Sequence, residues 1–129
     1  MKTPKKILII DDDRDFAESI QTFLQLHGHD VDWADNSPDG VALAAVRRPD
    51  VILCDVMMGE RTEGFFTVQQ LRRTPGVEGA RIFVISSVFA SVPAFQVEPD
   101  QSWLAHDEFI YKPVDPETLL EKIEAGGAS

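Results

Sequence analysis

Val51-Ile52-Leu53-Cys54-Asp55 is a run of four apolar residues that stops on a carboxylate, and Pro49-Asp50 before it breaks a helix. A run this apolar, without alternating polar positions, fits a parallel strand buried on both faces. Near the N-terminus Ile7-Leu8-Ile9-Ile10 repeats the pattern and ends on Asp11, Asp12 and Asp13. Between these strands Phe16, Ile20, Phe23, Leu24 and Leu26 recur at helical spacing. Asp13 or Asp15 suits the cap of that helix and Gly28 its stop. VDWA at 31–34 alternates as a strand. SPDGVALAAVRR follows as a helix, with Ser37 as its expected cap and Pro38 in its first turn.

Downstream, the polar loop from Gly59 to Gly64 leads into GFFTVQQLRR, a helix stopped by Thr74-Pro75-Gly76. RIFVISS is a fourth strand and EFIYK a fifth. DPETLLEKIEA is the last helix, with Asp115 as cap and Pro116 at its first position. Residues 88–104, VFASVPAFQVEPDQSWL, fall where another helix belongs, although Pro93 and Pro99 would interrupt one. Five strands alternating with helices imply an α/β fold: one doubly wound, five-stranded parallel sheet, flavodoxin-like (βα)5, as a single domain over residues 1–129.

Composition narrows the function. The chain has 129 residues, of which 43% are hydrophobic, enough for a real core. Its net charge of −10 argues against a nucleic-acid partner, which requires clustered Lys and Arg. No apolar run is long enough to span a bilayer, and ILII after MKTPKK is too short for a signal peptide, so a cytoplasmic location away from membranes is expected. The single cysteine, Cys54, reads as a small core residue.

Sheets of this class bind ligands beyond the carboxyl ends of their strands, where strand order reverses. With the order 2-1-3-4-5 the first and third strands are neighbours, and Asp11, Asp12 and Asp55 converge. Clustered carboxylates repel, and a hard divalent cation with oxygen ligands relieves them. The fourth strand ends on Ser86 and Ser87, and the fifth on Lys112-Pro113. A metal, a lysine and a hydroxyl together cradle a tetrahedral dianion, the equipment for phosphoryl transfer to a carboxylate. Singly, each of these residues has a plainer reading as a turn, a cap or a loop residue. The combination from separate strand ends is what points to Asp55 as the acceptor.

These residues resemble the receiver domain of two-component response regulators, from about Lys5 to Ala125. The acid pair matches Asp11 and Asp12 in LIIDDD, and the phosphoacceptor matches Asp55 in PDVILCDVMM, with Met58 three residues on. The hydroxyl residue matches Ser86 in IFVISS, the lysine Lys112 in FIYKPVDPETLLEKI, and the switch aromatic Phe109. The resemblance implies that Asp55 attacks a phosphohistidine on a sensor histidine kinase or His-phosphotransfer protein. It implies Mg²⁺ (or Mn²⁺) held by Asp12, Asp55 and the backbone carbonyl of Met57, with Asp11 acting largely through water. Lys112 would pair with the phosphoryl oxygens, while Ser86 and Phe109 move with the active state. Residues 88–125 would meet a downstream effector or a homodimer partner. The sequence departs from the family at Gly59, where proline is usual, and in a loop one residue longer that carries Glu60 and Glu63. It departs again between Ser86 and Lys112, a segment about four residues longer than usual.

Two other readings compete. A receiver-like module that binds partners without phosphorylation would fit the altered loops. A phosphatase with an aspartyl nucleophile would need a second acid two residues on, where this chain has Met57. The expectation is a signalling domain rather than an enzyme, with self-catalysed phosphoryl transfer and slow auto-dephosphorylation. It is either a stand-alone receiver or a piece of a longer chain.

Overall fold

The computed structural model of the chain describes residues 4–55, 63–77, 79–86, 108–111 and 114–126. The elements run β1 (Lys6–Ile10), α1 (Arg14–Leu26), β2 (Asp30–Ala34), α2 (Ser37–Arg47), β3 (Val51–Asp55), α3 (Glu63–Arg72), β4 (Arg81–Ser86), β5 (Glu108–Tyr111) and α4 (Pro116–Gly126). The five strands form one parallel sheet in the order β2-β1-β3-β4-β5, as the alternation of apolar runs and helices predicts. The helix expected within 88–104 lies outside the described residues.

Alternation along each strand divides the core in two. Leu8, Ile10, Ile52, Cys54, Ile82 and Val84 pack against Ala44 of α2 and Val68 and Leu71 of α3. Ile7, Ile9, Val51, Leu53, Phe83 and Ile85 pack against Ala17, Ile20 and Leu24 of α1 and Leu119 and Ile123 of α4. Both faces of the central strands are thus covered, and all five residues of β3 are buried. This is why those strands read as unbroken apolar runs. Among the described residues, no helix is long and apolar enough to cross a membrane.

The punctuation is mostly where the sequence puts it. Asp13 caps α1 by accepting from the Phe16 amide at 3.1 Å. At the other end Gly28 has φ +91°, its N–H donates to Gln25 O, and the His29 N–H donates to Leu24 O. That pair of bonds closes the last carbonyls of the helix, and only a residue at ease with positive φ fits between them. Helix α2 corrects the sequence reading: its cap is Asn36, whose Oδ1 accepts from the Asp39 amide at 2.8 Å, and not Ser37. Asn36 comes first and holds the extended backbone that a cap requires, so Ser37 becomes the first helical residue. Its hydroxyl is instead buried in a short hydrogen bond to Thr67 Oγ1, which ties α2 to α3.

The outer edge of β2 is guarded. Gln21 Nε2 donates to Val31 O at 2.9 Å, and Arg47 bridges Asp30 and Asp32 at 2.6 and 2.8 Å. Such cover discourages pairing with a foreign strand.

Two features give measurable expectations. A Cβ at Gly40 would lie 2.6–3.0 Å from three side-chain atoms of Ile10, which is fully buried under α2. Overpacking then outweighs the gain in helix propensity, and Gly40→Ala should lower stability by ~1–2 kcal/mol in chemical denaturation. At α4, the Thr118 hydroxyl and amide both donate to Asp115 Oδ2, at 2.6 and 3.2 Å. The hydroxyl first, then the amide, hold this carboxyl below its ordinary value. A depressed folded-state value stabilises above the unfolded value, and that contribution is lost as pH falls through the folded one. Asp115→Ala should therefore lower Tm at neutral pH, and the gap to the parent should close on acidification below the ordinary carboxylate range.

Candidate functional site

The β1–β3 register pairs Ile10 with Cys54, so the next residue of each strand, Asp11 and Asp55, emerges side by side. This is the switch point of the sheet: from β1 the chain runs outward to β2, and from β3 it runs the other way to β4. Ligands gather at such a point because the connections diverge there and leave a crevice.

Asp11 is 1% exposed and Asp55 7%, whereas Asp12 is exposed. One carboxylate oxygen from each lies within 4.8 Å of the others. Asp13, the fourth acid in the neighbourhood, is drawn away by its duty as the α1 cap. Asp11 Oδ1 also accepts from the Asp13 amide at 2.8 Å, which turns the chain from strand into helix. At this spacing two carboxylates repel by on the order of 3 kcal/mol at an effective dielectric near 20. Three hard oxygen donors converging at a rim, two buried and one open to solvent, suit a divalent cation that keeps several of its waters.

The main chain around Asp11 is held from β2. Its N–H donates to Ala34 O at 3.1 Å, and its C=O accepts from Trp33 Nε1 at 2.8 Å. The sequence reading took Trp33 only as a strand residue. Its signal was chemical rather than positional: an indole N–H inside a strand needs an acceptor.

The other expected site residues are placed less fully. Ser86 closes β4, one residue beyond Ile85, which pairs with Asp55. Phe109 lies in β5 opposite Val84. For both the backbone position is described and the side chain is not. Lys112, Met57, Met58, Gly59 and Glu60 lie outside the described residues. The structure therefore brings together Asp11, Asp12 and Asp55, with Ser86 at the adjoining strand end.

A family model described as the response regulator receiver domain matches residues 7–124. Protein PilH of Pseudomonas aeruginosa is 33% identical over 123 residues, covering 93% of this chain and 95% of PilH. Response regulator MprA of a Mycobacterium species is 32% identical over 125 residues. That match covers 95% of this chain but 50% of MprA, so the chain spans about half the length of this relative. Among solved structures, the chemotaxis protein CheY4 of Vibrio cholerae superposes with a TM-score of 0.77 at 25% identity, covering 95% of this chain and 98% of that one.

Repulsion within the cluster has a direct consequence. Asp12→Asn should stabilise the metal-free protein, by about 0.5–1 kcal/mol because Asp12 is exposed and screened. Millimolar Mg²⁺ should raise the Tm of the parent more than that of the variant, a difference that a thermal-shift titration reads out.

Proposed function

The chain belongs to the response regulator receiver domain family, and from that premise we propose that it is a single signalling domain whose Asp55 accepts a phosphoryl group. The observation that carries this reading is Asp55 itself. It is a 7%-exposed carboxylate at the end of a fully buried strand, with oxygens of Asp11 and Asp12 within 4.8 Å. A carboxylate kept there for stability alone would be a poor choice, since an apolar residue would bury without repulsion.

The donor is a phosphohistidine on a sensor histidine kinase or His-phosphotransfer protein. A carboxylate oxygen of Asp55 attacks the phosphorus in line; the new O–P bond forms as the N–P bond breaks, and the imidazole leaves with the bonding pair. Asp12 and Asp55, with the backbone carbonyl of Met57, would hold Mg²⁺ or Mn²⁺, with Asp11 acting largely through water, and the bound ion would supply positive charge at the phosphoryl oxygens. Burial keeps Asp55 oriented, while Asp12 at the rim leaves room for a donor to approach. Lys112 supplies the compact cation for the phosphoryl oxygens. Ser86, one step beyond Asp55's partner in β4, supplies a hydroxyl, and Phe109 in the neighbouring strand follows its movement. The chemistry happens on the domain's own side chain, so the output is a shift between two conformations read by an effector or a second copy through residues 88–125.

Incubation with Mg²⁺ and a small acyl-phosphate donor should add one phosphoryl group, detected by intact mass. Asp55→Asn should abolish the adduct, and chelation of the metal should slow its formation at least about 100-fold. A folded parent that takes no phosphoryl group from acyl-phosphate or phosphoramidate donors would refute the proposal in favour of a phosphorylation-independent binding module.

A further inference from the structure

Convergence of Asp11 and Asp12 on Asp55 depends on the peptide unit that joins the two acids. That unit is planar, so fixing its carbonyl oxygen fixes the direction in which both neighbouring Cα atoms leave it. The bond that fixes it comes from a side chain. Trp33 Nε1 donates to Asp11 O at 2.8 Å, just past the last backbone link between β1 and β2. The preceding peptide is tied by the Asp11 N–H to Ala34 O. Any residue at position 34 supplies that second bond, because it comes from the main chain. Among the twenty side chains, only indole joins a large apolar body, here packed on the Ile7–Ile9 face of the sheet, with a single N–H donor.

The indole is also well placed to stay put. Trp33 is partly buried against the α1 side of the core, and it also borders an open groove with Leu43 and Val46 of α2. Packing on one side and a hydrogen bond at the tip leave it little rotational freedom.

We infer that Trp33 is a positioning residue for the acidic cluster: its indole N–H locks the Asp11–Asp12 peptide so that both carboxylates remain aimed at Asp55. It touches neither metal nor phosphoryl group and acts through the main chain of the residues that do. This inference rests on the reading of the cluster as a divalent-cation site. The partner of a ligand's supporting structure is worth about 10–100-fold in metal affinity, and the lower end applies to a contact with the backbone.

The test is Mg²⁺ affinity measured by thermal shift and by the indole ¹H–¹⁵N NMR signal of Trp33, told apart from that of Trp103 by its persistence in Trp103→Phe. In the parent, this signal should be protected from solvent exchange and should move on titration with Mg²⁺. Trp33→Phe keeps the ring packing and removes the donor, and should weaken Mg²⁺ binding about tenfold. Leu43→Ala, in the same groove but with no part in the Trp33–Asp11 hydrogen bond, should lower the Tm of the metal-free protein and leave the Mg²⁺ affinity as it was. Equal affinity in parent and Trp33→Phe would overturn the inference. So would a loss in Leu43→Ala as large as in Trp33→Phe, which would trace the effect to general destabilisation. Should Trp33→Phe fail to fold, an indole N–H that exchanges as fast as a free one in the parent overturns it too. A parent that binds no Mg²⁺ removes the cation site itself, and this inference with it, whereas the other negative results leave that site standing.

Discussion

Like charges held close together set the terms for everything else in this molecule. Oxygens of Asp11, Asp12 and Asp55 lie within 4.8 Å of one another, and left to themselves the strand ends that carry them would part. They are held by what lies behind them. β1 and β3 contribute Ile9, Ile10, Ile52 and Leu53, each essentially inaccessible to solvent, and burial of a side chain this size is worth ~1.5–3 kcal/mol. Four such residues outweigh the repulsion, and the two-sided packing prevents either strand from sliding to relieve it. The helices on both faces therefore serve the site, because a sheet covered on one side only would not fix two adjacent strand ends so firmly.

The same packing explains which parts of the fold were legible in the sequence. Strands buried on both faces leave an unambiguous mark, so VILCD and ILII could be read without help, and so could the acids that end them. Turn and cap chemistry is local and was also readable: Gly28, Asp115 and Pro116 stand where their residue types demand. Where two good capping residues adjoin, local chemistry does not choose. Asn36 took the cap of α2, and Ser37 was left to bond Thr67, 30 residues away, a contact no local pattern announces. Trp33 was missed for a related reason. Its role depends on the register between β1 and β2, which only the folded sheet supplies. The grouping of the three acids was foreseeable because it follows from strand order alone. The parts proposed for Ser86 and Lys112 were suggested by their places at strand ends, and the part proposed for Phe109 by the family resemblance alone.

The end of the sheet opposite the acids is tied across elements as well. There, polar side chains bond to main-chain groups on other elements. Asp50 Oδ2 accepts from the Lys6 N–H at 3.0 Å. The His29 ring accepts from the Lys5 N–H at Nδ1 and meets Glu124 through Nε2, both at 3.1 Å. His29 is buried, and the contact to Glu124 spans 95 positions of the chain. His29 is specified by the atoms on its far side, and replacing Glu124 leaves a buried ring nitrogen without that partner.

These ties bear on how such a chain can diverge. The bonds from Lys5 and Lys6 use main-chain N–H groups, which any residue but proline supplies, whereas His29 and Glu124 meet side chain to side chain, so a change at one calls for a matching change at the other. A pair 95 positions apart in the chain therefore varies together or not at all, and the seam between the start of β2 and α4 would pass to descendants of this sequence as a unit.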